Sequence, residues 1–123
     1  DEYTRWTKTV KDLTDLAVRL TGNCLLASAF VGYISPFSSI IRANLWKDAW
    51  TGDLKARQIP MSDGIDPLFV LATEGDLAAW QNEGLPADRV SVENAAVVTS
   101  CARWPLMIDP QLQGVKWIKQ RVG

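Results

Sequence analysis

The sequence predicts a mainly helical fold with one short buried strand, and three observations carry that prediction. Apolar residues recur at alternating spacings of four and three from Trp6 to Ile34. Leu106-Met107-Ile108 is a short apolar run, followed by the polar exit Asp109-Pro110-Gln111 and a second amphipathic stretch. Between the two lie short apolar segments, each framed by residues that cap or break helices.

The first element is a long helix. Trp6, Val10, Leu13, Ala17, Leu20, Cys24, Ala27, Val31 and Ile34 make a heptad seam. Arg5, Lys8, Lys11, Asp12, Asp15 and Arg19 fall between the seam positions of the first half, as on a solvated face. From Cys24 the pattern changes, because Leu25, Leu26, Ala29 and Phe30 fill other faces as well. The helix should therefore pass from solvent, or from a coiled coil, into a packed core near Gly22-Asn23. Ser35-Pro36 should stop it and start the next helix, with Ser35 as N-cap and Pro36 at the first helical position. That helix carries Phe37, Ile41 and Leu45 on one stripe and Trp46 and Trp50 on a neighbouring one, with Thr51-Gly52-Asp53 ending or kinking it. Gln58 to Ile65 reads as a connecting loop. Asp66-Pro67 should cap a short helix burying Leu68, Phe69 and Leu71, and Glu74-Gly75-Asp76 should separate it from one burying Leu77 and Trp80 and ending at Gly84. Ser91 should cap a third, with Ala95 to Val98 inward.

Leu106-Met107-Ile108 then reads as a strand buried in a parallel sheet, and Val115 to Lys119 as the start of an amphipathic helix. Strand, loop, helix is the arrangement in which P-loop proteins hold phosphates. The phosphate chemistry is missing. A working loop needs glycines whose neighbouring N–H groups close on the phosphates, then Lys and Ser/Thr for phosphate and Mg²⁺. Here Pro110 lacks an N–H, Gly114 arrives late, and Lys116 is followed by Trp117. Asp109, Pro110, Gln111, Gln113, Gly114 and Lys116 thus form a degenerate P-loop with no cofactor-binding role.

Three strings carry a family resemblance: Trp80-Gln81-Asn82-Glu83-Gly84-Leu85-Pro86-Ala87-Asp88, Ser91-Val92-Glu93-Asn94, and Arg103-Trp104-Pro105-Leu106-Met107-Ile108-Asp109-Pro110-Gln111. Together they resemble the fifth AAA+ module of dynein heavy chains, of axonemal type. The first half of the chain resembles the returning helix of the dynein stalk where it meets the motor ring. The resemblance implies a helical fragment of an α/β, P-loop-like AAA+ module. Residues 1–58 would hold the stalk-return helix and a helical small-subdomain region. Residues 59–123 would open the large subdomain of the fifth module, with the degenerate P-loop region at 104–119. It further implies a parent chain that hydrolyses ATP with Mg²⁺ in other modules and walks on microtubules. Implied partners are the rest of the ring and stalk, the microtubule, and the dynein intermediate and light chains, in the cytoskeleton of a cilium or flagellum. The seam Trp6, Val10, Leu13, Ala17 and Leu20 would be stalk coiled coil.

Composition narrows the remaining classes. The 123 residues carry a net charge of −1, which leaves no electrostatic footprint for nucleic acid or an anionic membrane. The Cys24 to Ile34 apolar run is shorter than the about 20 residues of a membrane span. Without histidine, the commonest general base and metal ligand at neutral pH is absent, and Ser91 and Ser100 have nothing to activate them. Cys24 and Cys101 lack ligand spacing and read as buried free thiols. Asp63 and Asp66 lack the alternating oxygens of a calcium loop, and Asp109, without the upstream Gly-Lys-Ser/Thr that would make it a Mg²⁺ ligand, reads as capping its own loop through its side-chain oxygens. Glu83, Asp88 and Glu93 lie close in sequence, but catalytic carboxylate pairs need a cleft and raised pKa values that nearness in sequence does not supply, and Arg103 beside Trp104 suggests local stacking or pairing. No catalytic or metal residue is assigned. The opening Asp1-Glu2-Tyr3, with no initiator Met, reads as a cut from something larger. Two other classes fit the residues: a free-standing helical interaction module using the Trp6–Leu20 seam, and a small-molecule module using the loop around Gln111 and Gln113.

Overall fold

The computed structural model describes residues 1–123. Its first helix, α1 (Glu2–Tyr33), is capped by the Asp1 carboxylate, which accepts from the Tyr3 N–H. Every residue from 1 to 21 is exposed, and burial begins at Gly22 and Asn23. From there Leu26, Ala27, Phe30 and, just past the helix, Ile34 pack against the body. The helix leaves solvent at the place where the sequence changes pattern. By length and composition α1 is long and apolar enough to cross a membrane, and it packs against α4.

The seam does not continue straight into the core. Trp6, Val10, Leu13 and Leu20 line one exposed stripe; beyond it the seam positions Ala27 and Ile34 are buried as expected, but Asn23 and Phe30 are buried beside them in place of Cys24 and Val31. At about 100° per residue, the buried stripe is turned by roughly a quarter of the circumference from the exposed one. Cys24, a predicted seam position and a predicted buried thiol, is therefore exposed, and Cys101 is only half-buried.

The next helix starts later than Ser35-Pro36 implies. Ser38 precedes α2 (Ser39–Ala43), which runs on through a π-helical stretch (Asn44–Trp50) into α3 (Thr51–Ala56). The cause is Arg42, whose Nε and Nη2 donate to the Phe37 and Ser35 carbonyls (2.7 and 2.9 Å) and so hold the preceding turn outside the helix. Gly52 does not interrupt it. The rod ends at Gln58, in the left-handed region at φ 56, where the Gln58 and Ile59 N–H groups donate back to Lys55 and Leu54. Phe37 and Ile41 stay exposed on this rod, which buries Arg42 and Leu54 instead.

Asp66 caps α4 (Pro67–Leu71), its carboxylate accepting from the Leu68 N–H. Leu68 is buried and Phe69 is exposed, against expectation. The break before α5 (Glu74–Asn82) falls at Ala72-Thr73 rather than Glu74-Gly75-Asp76, because Thr73 and Asp76 form a reciprocal capping box. Gly84, at φ 90, closes α5 as predicted. In α6 (Arg89–Ser100) the cap is Asp88, which accepts from both the N–H and the hydroxyl of Ser91. Finally α7 (Gln113–Val122) seats Trp117 in the core with Leu68, Trp80, Val92, Ala95 and Ala96.

The predicted strand does not form. Residues 104–109 are extended without a partner, and the chain contains no β-strand. Trp104, Leu106 and Ile108 are 100%, 90% and 86% exposed. A strand needs a neighbour for its N–H and C=O groups, and these 123 residues supply none.

Candidate functional site

The degenerate P-loop folds around Asp109. Leu112 turns the chain through the left-handed region at φ 59, which brings the start of α7 back over the Asp109 side chain. One carboxylate oxygen accepts from the Gln113 N–H (3.1 Å) and the other from the Val115 N–H (2.9 Å). These first-turn amides, with the positive end of the helix dipole, are what a phosphate would use. A side-chain carboxylate already occupies them. Gly114 has a different role from a phosphate-cradling glycine: a Cβ there would lie 2.7 Å from Met107 Sδ and 3.3 Å from an Asp109 oxygen. Its absence lets Met107 and Asp109 close on the helix. Pro110, Gln111 and Lys116 are exposed, whereas Asp109, Gln113 and Gly114 line an adjoining cleft. The adjoining cleft, between α6, α7 and Met107-Ile108, has a volume of about 170 Å³. That is below the roughly 300–1,000 Å³ of small-molecule sites.

The three neighbouring acids do separate jobs. Glu83 accepts from Trp117 Nε1 (2.9 Å) and from Arg121, and the two rings Trp80 and Trp117 meet edge to face at 6.2 Å. Asp88 caps α6, and the Ser91 hydroxyl, then the Ser91 N–H, hold its carboxyl below the usual carboxylate range. Glu93 is buried between two arginines: Arg42 Nη1 donates to one oxygen (3.1 Å) and Arg89 Nε to the other (2.6 Å). Arg89 also grips Asp66 with two bonds of 2.7 Å and lies 5.8 Å from the Trp46 ring centroid. Hydrogen bonding to Asp66 raises the Arg89 pKa against its partial burial. This network joins the rod, the α4 cap and α6. Sequence reasoning missed it; the signal was Arg89 four residues before Glu93 on one helix face. Asp63 lies in solvent near Lys55, and Arg103 and Trp104 are exposed. The seam residues Trp6, Val10, Leu13, Ala17 and Leu20 share the free arm of α1 and touch none of these groups.

Residues 78–123 match the family described as the ATP-binding dynein motor region. Over 95% of its length the chain is 51% identical to the dynein beta chain of the flagellar outer arm of Chlamydomonas reinhardtii. Over 99% it is 47% identical to the ciliary dynein beta chain of Tripneustes gratilla and 46% to human axonemal dynein heavy chain 9. The chain belongs to the dynein heavy chains. It spans about 3% of the length of these relatives, which are flagellar, ciliary and axonemal dyneins. The dynein match covers the second half of α5, then α6, residues 101–112 and α7, and so includes the Asp109-capped loop, while the full-length alignments reach back along α1.

Proposed function

We propose that this chain is a structural, non-nucleotide-binding part of an axonemal dynein motor ring, joining the base of the stalk to the fifth AAA+ module and coupling the two. The observation that carries the reading is α1. It is one continuous helix, fully exposed with an apolar stripe over residues 1–21, then packed into the body from Gly22. A solvent-exposed heptad stripe on a rooted helix suits one antiparallel partner helix of the stalk.

Two further features support it. The Asp109 carboxylate on the α7 amides accounts for a module that holds no nucleotide, leaving ATP and Mg²⁺ to other modules. The uncovered run Trp104 to Ile108 suits the first strand of a sheet whose remaining strands come from later sequence. On this reading residues 1–58 belong with the preceding module and stalk, and 59–123 open the next. The parent motor acts on microtubules in the axoneme with its intermediate and light chains.

The test is one alanine inserted after Lys11 in the intact motor. It rotates Trp6 and Val10 by about 100° relative to Leu13 and Leu20 while barely changing helix propensity. Basal ATP hydrolysis should persist and its stimulation by microtubules should fall strongly, with partial recovery when the insertion totals four residues. Unchanged stimulation would sink the coupling role.

A further inference from the structure

The place where α1 stops being exposed is pinned by a loop rather than by side-chain packing alone. The Gly22 N–H donates to the Pro60 carbonyl at 2.9 Å. Asn23 and Ser62 then bond reciprocally: Asn23 Nδ2 donates to Ser62 Oγ, and the Ser62 N–H donates to Asn23 Oδ1, both at 2.9 Å. Asn23 is 4% exposed, a buried amide on a helix face otherwise lined by Leu26, Ala27 and Phe30. A Cβ on Gly22 would stand 2.3 Å from the Pro60 oxygen and 2.6 Å from Met61 Cβ, so only glycine admits the loop this close. An apolar residue would bury as well as Asn23, but it could not fix a register between a helix and a loop that has no regular structure.

We propose that the Pro60–Ser62 loop is a latch on the root of α1, fixing the direction in which the exposed arm leaves the body. The inference rests on the reading of that arm as the link to the stalk. The latch is made wholly of neutral groups. A second polar crossing between the two halves of the chain, Arg42–Glu93, is a buried ion pair with both side chains 3% exposed. Neutral bonds open and remake more readily than a buried ion pair separates. Gly22 lies where opening would have most effect, since a glycine is the weakest point of a helix. With the loop in place the arm is held; with it withdrawn, α1 bends at Gly22 while α2 and α6 stay joined.

The test uses the full-length dynein heavy chain carrying this sequence, with amide hydrogen exchange and arm angles from electron micrographs. Asn23→Ala removes both reciprocal bonds and should raise exchange over residues 59–65 about tenfold, with a wider spread of arm angles. Ser62→Ala removes only one and should raise exchange about threefold. The double variant should match Asn23→Ala alone, because Ser62 Oγ acts through Asn23. Gly22→Ala should displace the loop and raise its exchange at least as much as Asn23→Ala, but with a narrower spread of angles than Asn23→Ala, because alanine stiffens the helix at the hinge. Additive effects of Asn23→Ala and Ser62→Ala, or raised exchange with an unchanged angle distribution, would overturn the latch. Neither result bears on the coupling role, which the insertion after Lys11 judges separately.

Discussion

Replacing Arg42 by methionine should loosen the joint between the rod and α6 far more than its single charge suggests. The guanidinium is 2% exposed and makes three bonds, to the Phe37 and Ser35 carbonyls and to Glu93. Methionine fills much of the same volume but leaves the 2%-exposed Glu93 carboxylate with Arg89 as its remaining partner. Because Arg89 still compensates the charge, the loss is that of one hydrogen bond to a charged group, about 1.5–3 kcal/mol. If α6 opens as a unit, that range is an increase of roughly tenfold to 150-fold in its opening equilibrium. Amide exchange of the intact heavy chain, followed in peptides from Val92 to Thr99, measures it directly. Pairing Arg42→Met with Glu93→Leu should return most of the lost protection, because no buried carboxylate is then short of a donor and Arg89 keeps its two bonds to Asp66. If Arg42→Met behaved like a surface substitution, or if the double variant were as loose as the single one, Glu93 would not be the buried group that sets the cost.

Three further outcomes are expected. Calorimetric titration of the complete module should detect no magnesium-dependent ATP or ADP binding mapping to Asp109–Lys116, since the Asp109 carboxylate already takes the Gln113 and Val115 amides. Residues 1–123 alone should show no sharp, reversible thermal transition by near-UV circular dichroism, because only 18 of 123 residues are buried and Trp104, Leu106 and Ile108 lie uncovered. In a blocked peptide of residues 85–102 carrying Glu93→Gln, Asp88 is the only titrating carboxylate. Its pKa is lowered in the folded state by Ser91, so its contribution is complete above the ordinary aspartate value of about 4 and is lost as pH falls through the lowered value. Helicity at 222 nm should follow that course, and Asp88→Asn should flatten it.

What was legible in the sequence is what local chemistry decides. The α1 helix, its passage into the core near Gly22, the Asp66-Pro67 cap and the Gly84 stop each depend on a few neighbouring residues, and the structure has them all. The quarter-turn between the seam and the buried face was hidden, because the heptad continues from Leu20 to Cys24, whereas packing takes the helix out of step at Asn23. Asp88 displaced Ser91 as the α6 cap because both can accept, and Asp88 then uses Ser91 itself as a donor. Arg42 sits one residue past the stripe residue Ile41, so nothing local marks it as the residue that delays α2 and neutralises Glu93 51 positions away. The strand failed for another reason. Apolar content at Leu106–Ile108 is a property of the segment, but strand pairing is a relation to a second segment. At the P-loop the sequence disclosed what was missing and pointed to Asp109 as a cap for its loop; which amides it takes required the backbone turn at Leu112.

The uncovered stretch from Trp104 to Ile108 also has a consequence for biogenesis. On the proposed reading its neighbours in the sheet are made after it, since synthesis runs from the N-terminus. At about 5–20 residues per second, each further hundred residues needed to supply them leaves Trp104, Leu106 and Ile108 in solvent for roughly 5–20 seconds more. Non-specific collapse of a chain takes microseconds. The nascent polypeptide therefore spends a long interval with an apolar, unpaired strand in reach of other nascent chains, and that interval is when a chaperone that grips extended apolar segments would act on it. Pro105, inside the run, removes one N–H from the exposed edge and so lowers its capacity to pair wrongly during the wait.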